Sequence, residues 1–137
     1  MTYIIDTNIF LRTLIKDDDK VFSDCISLLE LVKKNKINVV VPGVVFAEVI
    51  WVLSSFYKFP KSKAIQAVKS IQKLSGIKII DSYEYNQAFS FYEENNVKYI
   101  DCLIASLVKD KSYVVISYDK DFDKLKIKRQ QPEEFLV

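Results

Sequence analysis

Short β-branched runs alternate with longer segments of helical period along the whole 137-residue chain. This alternation predicts a parallel sheet of four to five strands with helices on both faces, an α/β fold. Strands are expected at Thr2–Asp6, Ile37–Val41, Ile77–Ile80 and Tyr113–Ser117, with a weak edge strand over Ile127–Gln131. Between them, apolar residues at helical spacing predict helices from Thr7 to about Leu14, Val21 to Lys34 and Val44 to Tyr57. Further helices are expected from Ser62 to about Leu74, Ser82 to about Asn95 and Ile100 to Lys109. Helical turns are expected at Asp121–Leu125 and Pro132–Leu136. Thr7 or Asn8, Ser62 and Ser82 are the candidate caps, and Lys16–Lys20 reads as a charged loop. No repeat or linker-like stretch divides the chain, so residues 1–137 read as one domain. In open α/β sheets ligands bind beyond the carboxyl ends of the strands. Acids at those ends are therefore the first candidates for function.

Missing residue types exclude much of enzyme chemistry. The chain has no histidine, which removes serine triads, Cys-His dyads, an imidazole base and His-bound zinc. Two glycines, Gly43 and Gly76, cannot build a phosphate loop or a dinucleotide fingerprint. Cys25 and Cys102 each lie in an apolar helical pattern, as buried thiols of a reducing cytoplasm would. The N-terminus does not resemble a signal peptide, and no stretch approaches the roughly 18 apolar residues of a membrane span. Net charge is +2, and of the twenty cations only Arg12 and Arg129 are arginines. A lysine surface attracts phosphate diffusely rather than reading bases by bidentate bonds.

Each acid of interest has two readings. Asp6 ends the first strand, as a turn or cap residue or as a site carboxylate. Glu48 is the only charge between Val39 and Leu53, with Val44, Val45, Trp51 and Val52 one turn away. No lysine or arginine lies within a turn of it. It is either partly exposed, paired to a cation distant in sequence, or functional, because a buried carboxylate is unfavourable unless paired or metal-bound. Asp101 opens an apolar helix, as a first-turn acid or a ligand. Asp119 and Asp121 follow the fourth strand, with Asp123 continuing the acid cluster and Phe122 anchoring the turn. Taken together, acids at the ends of parallel strands can converge. Converging carboxylates repel and require a cation. Without histidine or clustered cysteine the ligand set is all oxygen, which suits Mg²⁺ or Mn²⁺ and metal-assisted phosphoryl chemistry.

The ordered set Asp6-Thr7-Asn8, Ala47-Glu48-Val49, Asp101-Cys102-Leu103-Ile104-Ala105 and Ser117-Tyr118-Asp119-Lys120-Asp121-Phe122 resembles that of PIN-domain nucleases, most closely VapC-type toxins. The closing Pro132-Glu133-Glu134-Phe135-Leu136 is similar to the family's usual ending. The resemblance implies a three-layer α/β/α fold and an acidic quartet of Asp6, Glu48, Asp101 and Asp119, with Asp121 a possible fifth acid. Thr7 and Asn8 would support the first carboxylate, and Ser117 would replace a more usual threonine. Ser106 stands where a second small apolar residue is common, and Tyr118 is bulkier than usual for the last motif.

By the same resemblance the chain would be a Mg²⁺- or Mn²⁺-dependent endoribonuclease. Asp6, Asp101 and Asp119 would hold the metal. Glu48 would bind metal or position and deprotonate the attacking water, leaving a 5′-phosphate and a 3′-hydroxyl. Lys16, Lys20 and Lys120 are candidate contacts to the RNA backbone. Homodimerisation, through the aromatics Trp51, Phe56, Tyr57 and Phe59, and a cognate antitoxin filling the acidic groove are the expected partnerships. The alternatives are an RNA-processing nuclease of the same fold without an antitoxin, or a non-catalytic module binding RNA or protein. Response-regulator and aspartate-phosphatase readings fail on residues. Only one acid ends the first strand, and position 8 is asparagine where an Asp-x-Asp nucleophile motif needs a second acid.

Overall fold

The computed structural model describes residues 1–136. Its strands are β1 (Thr2–Ile5), β2 (Val39–Pro42), β3 (Ile77–Ile80), β4 (Tyr113–Ile116) and β5 (Arg129–Gln130). All pair in parallel, in the order β3-β2-β1-β4-β5. The helices are α1 (Thr7–Leu14), α2 (Asp19–Lys33), α3 (Gly43–Ser55), α4 (Lys61–Gln72), α5 (Tyr85–Glu94), α6 (Tyr99–Ala105) and α7 (Asp121–Lys124), followed by a 3₁₀ turn at Pro132–Phe135. The expected α/β architecture is present, with five strands. Ile4, Ile5, Val39, Val41, Val114, Val115 and Ile116 are essentially inaccessible to solvent. Such unbroken apolar runs mark strands covered on both faces.

From β1 the chain steps outward through β2 to β3, then returns across β1 to β4 and β5. Right-handed crossovers with opposite directions of travel place their helices on opposite faces. Accordingly α1, α2, α3 and α4 pack among themselves, whereas α5 packs on α6 and α6 on α7. The second group has its own apolar cluster around Ala88, Val97, Cys102, Ala105 and Leu125. Both cysteines are free and buried. Among the described residues no helix is long and apolar enough to cross a membrane.

Helix ends depart from the expected caps. Asp6, rather than Thr7 or Asn8, caps α1: the Thr7 N–H donates to Asp6 Oδ1 at 2.8 Å. Helix α2 starts inside the expected loop, because Asp18 accepts from the Val21 N–H at 3.0 Å. Pro60, not Ser62, precedes α4, whose first residue is Lys61. Helix α5 starts at Tyr85, past Ser82, and the Ser106 hydroxyl accepts from the Glu84 N–H at 3.2 Å. That hydroxyl donates to the Leu103 carbonyl at 2.7 Å, so Ser106 ties the end of α6, shorter than expected, to the start of α5. Helix α3 has no side-chain cap from its own cap residue. The Tyr83 hydroxyl accepts from the Val44 N–H at 2.9 Å instead and donates to Asp81 at 3.2 Å. Gly43 permits this approach, since a Cβ there would fall on the Asp81 carboxylate. Gly76, at φ +88°, turns the chain from α4 into β3.

Helix α3 buries only the stripe Val45, Val49 and Leu53. Trp51 (66% exposed) and, just past the helix, Phe56 (73% exposed) face solvent. Tyr57 and Phe59 fold back onto the core instead. On the other face α5 exposes Tyr85, Phe89 and Tyr92.

Candidate active site

Strand β1 has β2 on one side and β4 on the other, and the chain leaves those two sides in opposite directions. The crevice at such a reversal is where an open α/β sheet binds ligands. Asp6 follows β1 here, and Ser117, Tyr118 and Asp119 follow β4. Ser117 Oγ donates to Asp6 Oδ2 at 2.7 Å. It accepts from Asn8 Nδ2 at 3.0 Å and from the Asp119 N–H at 2.9 Å. One donor and two acceptor sites exhaust a hydroxyl, so Ser117 is fully used as a clip between the two strand ends. Asn8 Nδ2 also donates to Asp6 Oδ2 at 3.2 Å, and Asn8 Oδ1 accepts from the Tyr118 N–H at 3.3 Å. Burial raises the Asp6 carboxyl to about 6, against the lowering effect of the Ser117 and Thr7 hydrogen bonds.

Glu48 projects from the second turn of α3 into a small pocket shared with Asp6, Thr7, Asn8 and Lys98. It is largely buried, and Lys98 Nζ lies 3.5 Å from its Oε2. The cation absent from its own helix comes from the N-terminal cap position of α6. Three residues on, Asp101 is almost wholly buried. Burial first, and then the Asp6 charge, push its carboxyl up to about 8, with Lys98 opposing and Asp119 adding to the rise. Burial draws the Lys98 ammonium down, but Asp101, Glu48, Asp6 and Asp119 together outweigh it and hold its pKa above the ordinary lysine value.

One oxygen of this cluster has no partner. Among the described residues, neither the buried Asp101 Oδ2 nor Thr7 Oγ1 has a hydrogen-bond partner. Carboxylate oxygens of Asp101, Asp119 and Asp121 all lie within 4.8 Å of one another. An orphaned buried carboxylate oxygen among acids fits a hard divalent cation, which takes oxygen ligands. Asp119 also serves the chain locally, accepting from the Asp121 N–H at 2.9 Å at the start of α7. Asp121 pairs with Lys124 at 3.1 Å. Asp123 stands apart from the cluster it was expected to continue. Its carboxylate takes both Nε and Nη2 of Arg129, at 3.1 and 3.0 Å, which hold it below its usual range. Arg129 Nη1 donates to the Ser117 carbonyl at 3.1 Å, so this guanidinium braces the strand end from behind.

The structure thus brings Asp6 and Glu48 into one pocket and groups Asp101 with Asp119 and Asp121, with Lys98 facing both sets. The candidate RNA contacts Lys16 and Lys20 are engaged elsewhere, with Asp19 at 4.0 Å and Asp24 at 2.7 Å. Lys120 is exposed at the cap of α7. Sequence reasoning missed Lys98 and Arg129. Lys98 carried a local signal, lying one helical turn before Asp101. Arg129 carried none, because its partners are set by the pairing of β4 with β5.

Several solved structures share this fold. VapBC2 from Rickettsia felis, bound to a DNA fragment from its promoter, superposes with a TM-score of 0.68 at 19% identity, covering 96% of this chain and 98% of that one. FitAcB from Neisseria gonorrhoeae gives 0.65 at 17%, again over 96% and 98%. VapC20 from Mycobacterium tuberculosis, a sarcin-ricin loop cleaving toxin, gives 0.67 at 14%, over 91% and 95%. No curated protein matches the chain in sequence. The PIN domain family matches residues 3–128, and the chain belongs to that family.

Proposed function

We propose that this protein is a Mg²⁺- or Mn²⁺-dependent endoribonuclease of the VapC type, the toxin of a toxin–antitoxin pair. The observation that carries the reading is Asp101, which has one buried, unpartnered oxygen, offers a carboxylate oxygen close to those of Asp119 and Asp121, and feels the charge of Asp6. On this reading Asp6, Glu48, Asp101 and Asp119 are the catalytic acids. Asp6, Asp101 and Asp119 hold the cation, with Glu48 and Asp121 beside them. Once bound, the cation supplies Lewis-acid stabilisation of the charge that builds on phosphate oxygens. Ser117 and Asn8 orient Asp6, and the Thr7 N–H fixes its other oxygen. Glu48 shares the pocket with Asp6, where its carboxylate positions a water and takes its proton.

The likeness to VapBC2 supports an antitoxin partner, and on this reading a segment of that partner fills the acidic groove. Exposed Trp51 and Phe56 support a homodimer. On the same reading residues 1–137 work as one domain, on RNA, in the cytoplasm. The test is cleavage of single-stranded RNA with Mn²⁺. Cleavage by the parent, lost on chelation and in both Asp6→Asn and Asp101→Asn, is the expected result. A folded parent that cuts no RNA with Mn²⁺ leaves the non-catalytic module. Retained cleavage in Asp101→Asn removes Asp101 from the site.

A further inference from the structure

We propose that Lys98 is a tethered counter-ion, which holds the carboxylate cluster together in the metal-free protein and gives way when a divalent cation binds. The inference rests on the metal-dependent reading above and assigns a role to a residue outside the acidic set. Lys98 occupies the N-terminal cap position of α6 and provides no side-chain cap there. The amino end of a helix carries partial positive charge and disfavours a cation. Local helix preference therefore does not explain a lysine at this position, whereas the carboxylates around it do. Its ammonium lies 3.5 Å from Glu48 Oε2 and shares the pocket with Asp6. The nearby cations Lys124 and Arg129 are committed to Asp121 and Asp123.

The manner of holding also matters. A contact of 3.5 Å is longer than the roughly 2.7–2.9 Å of a tight charge-assisted hydrogen bond. The Lys98 side chain is 59% exposed. A field, not a socket, keeps the ammonium in place, and a flexible four-carbon stem lets it swing to solvent. A dication entering beside Asp101 and Asp119 meets the repulsion of this single charge and removes the reason for its inward pose.

The experiment uses the full chain, with Lys98→Gln and Lys98→Arg, melted in chelator and titrated calorimetrically with MnCl₂. Lys98→Gln is expected to melt lower in chelator, by about 3–6 °C. It is also expected to bind Mn²⁺ about tenfold more tightly, because one repelling charge is gone. Lys98→Arg keeps the charge and should behave as the parent. Equal or weaker Mn²⁺ binding by Lys98→Gln overturns the proposal. A double variant, Lys98→Gln with Asp101→Asn, separates this from the reading beneath it. In melts at a pH above the Asp101 value of about 8, where that carboxyl is ionised in the parent, the loss due to Lys98→Gln should shrink in the Asp101→Asn background. If the parent binds no Mn²⁺, the metal-dependent function fails and the displacement step with it. The counter-ion role is then judged by the melts alone, and an equal loss in both backgrounds overturns it.

Discussion

Asp101 concentrates the physical tension of the site. In the folded chain Asp101 and Asp6 bind protons up to about pH 8 and about pH 6. In the unfolded chain they release them near 3.9. Between those limits the native state carries more protons than the unfolded one, so stability falls as pH rises from about 4 to about 8. Asp101→Asn is expected to flatten the fall between pH 6 and 8 and leave the metal-free protein as stable as the parent or more so, by on the order of a few kcal/mol at pH 8. Thermal melts across pH, in chelator, check this. On the proposed metal-dependent reading, the same variant should gain less from Mn²⁺ than the parent, since mass-action stabilisation needs the ligand. Ser117→Ala takes one donor from Asp6 and one acceptor from both Asn8 and the Asp119 N–H. It is expected to cost about 2 kcal/mol in urea denaturation and to move the Asp6 carboxyl, by NMR titration, above about 6. The acids were legible in the sequence because each stands at the end of a local pattern: an apolar run, an apolar helix face, a strand-to-turn junction. Arg129 was not, because its partner Ser117 lies 12 positions away, and of Lys98 only its place one turn before Asp101 could be read, not its pairing with Glu48, 50 positions away.

Elements were legible to the same depth. Strands and helices could be read because β-branched runs and helical spacing act within a few residues. Helix starts were misread wherever the cap comes from elsewhere. Ser82 looked like the cap of α5, yet the side-chain bond at its cap residue, Glu84, comes from Ser106 at the end of α6. Helix α3 shows the same dependence with more at stake, since it carries Glu48. Its Val44 N–H relies on the Tyr83 hydroxyl from beyond β3. Tyr83→Phe keeps the ring and removes that acceptor. It is expected to lower the urea midpoint by an amount equivalent to about 1–2 kcal/mol with an unchanged slope. Full stability in Tyr83→Phe would show that water satisfies the Val44 N–H equally well.

At the scale of the whole molecule, Trp51 and Phe56 leave a large aromatic area exposed at the end of α3. If two copies pair there, Trp51→Glu is expected to shift sedimentation at tens of micromolar from dimer to monomer without loss of the far-ultraviolet helix signal. A parent that sediments as a monomer removes this interface. Strand order carries a different consequence, for the order of events during synthesis. The strand made first lies in the middle of the sheet, and one of its two neighbours is the fourth strand in the chain. The hydrogen bond that clips Asp6 to Ser117 spans 111 residues. Closing so long a loop is slow and cannot begin before its far end exists. A nascent chain paused on the ribosome anywhere short of Ser117 therefore carries Asp6 without the strand end that closes the crevice around it.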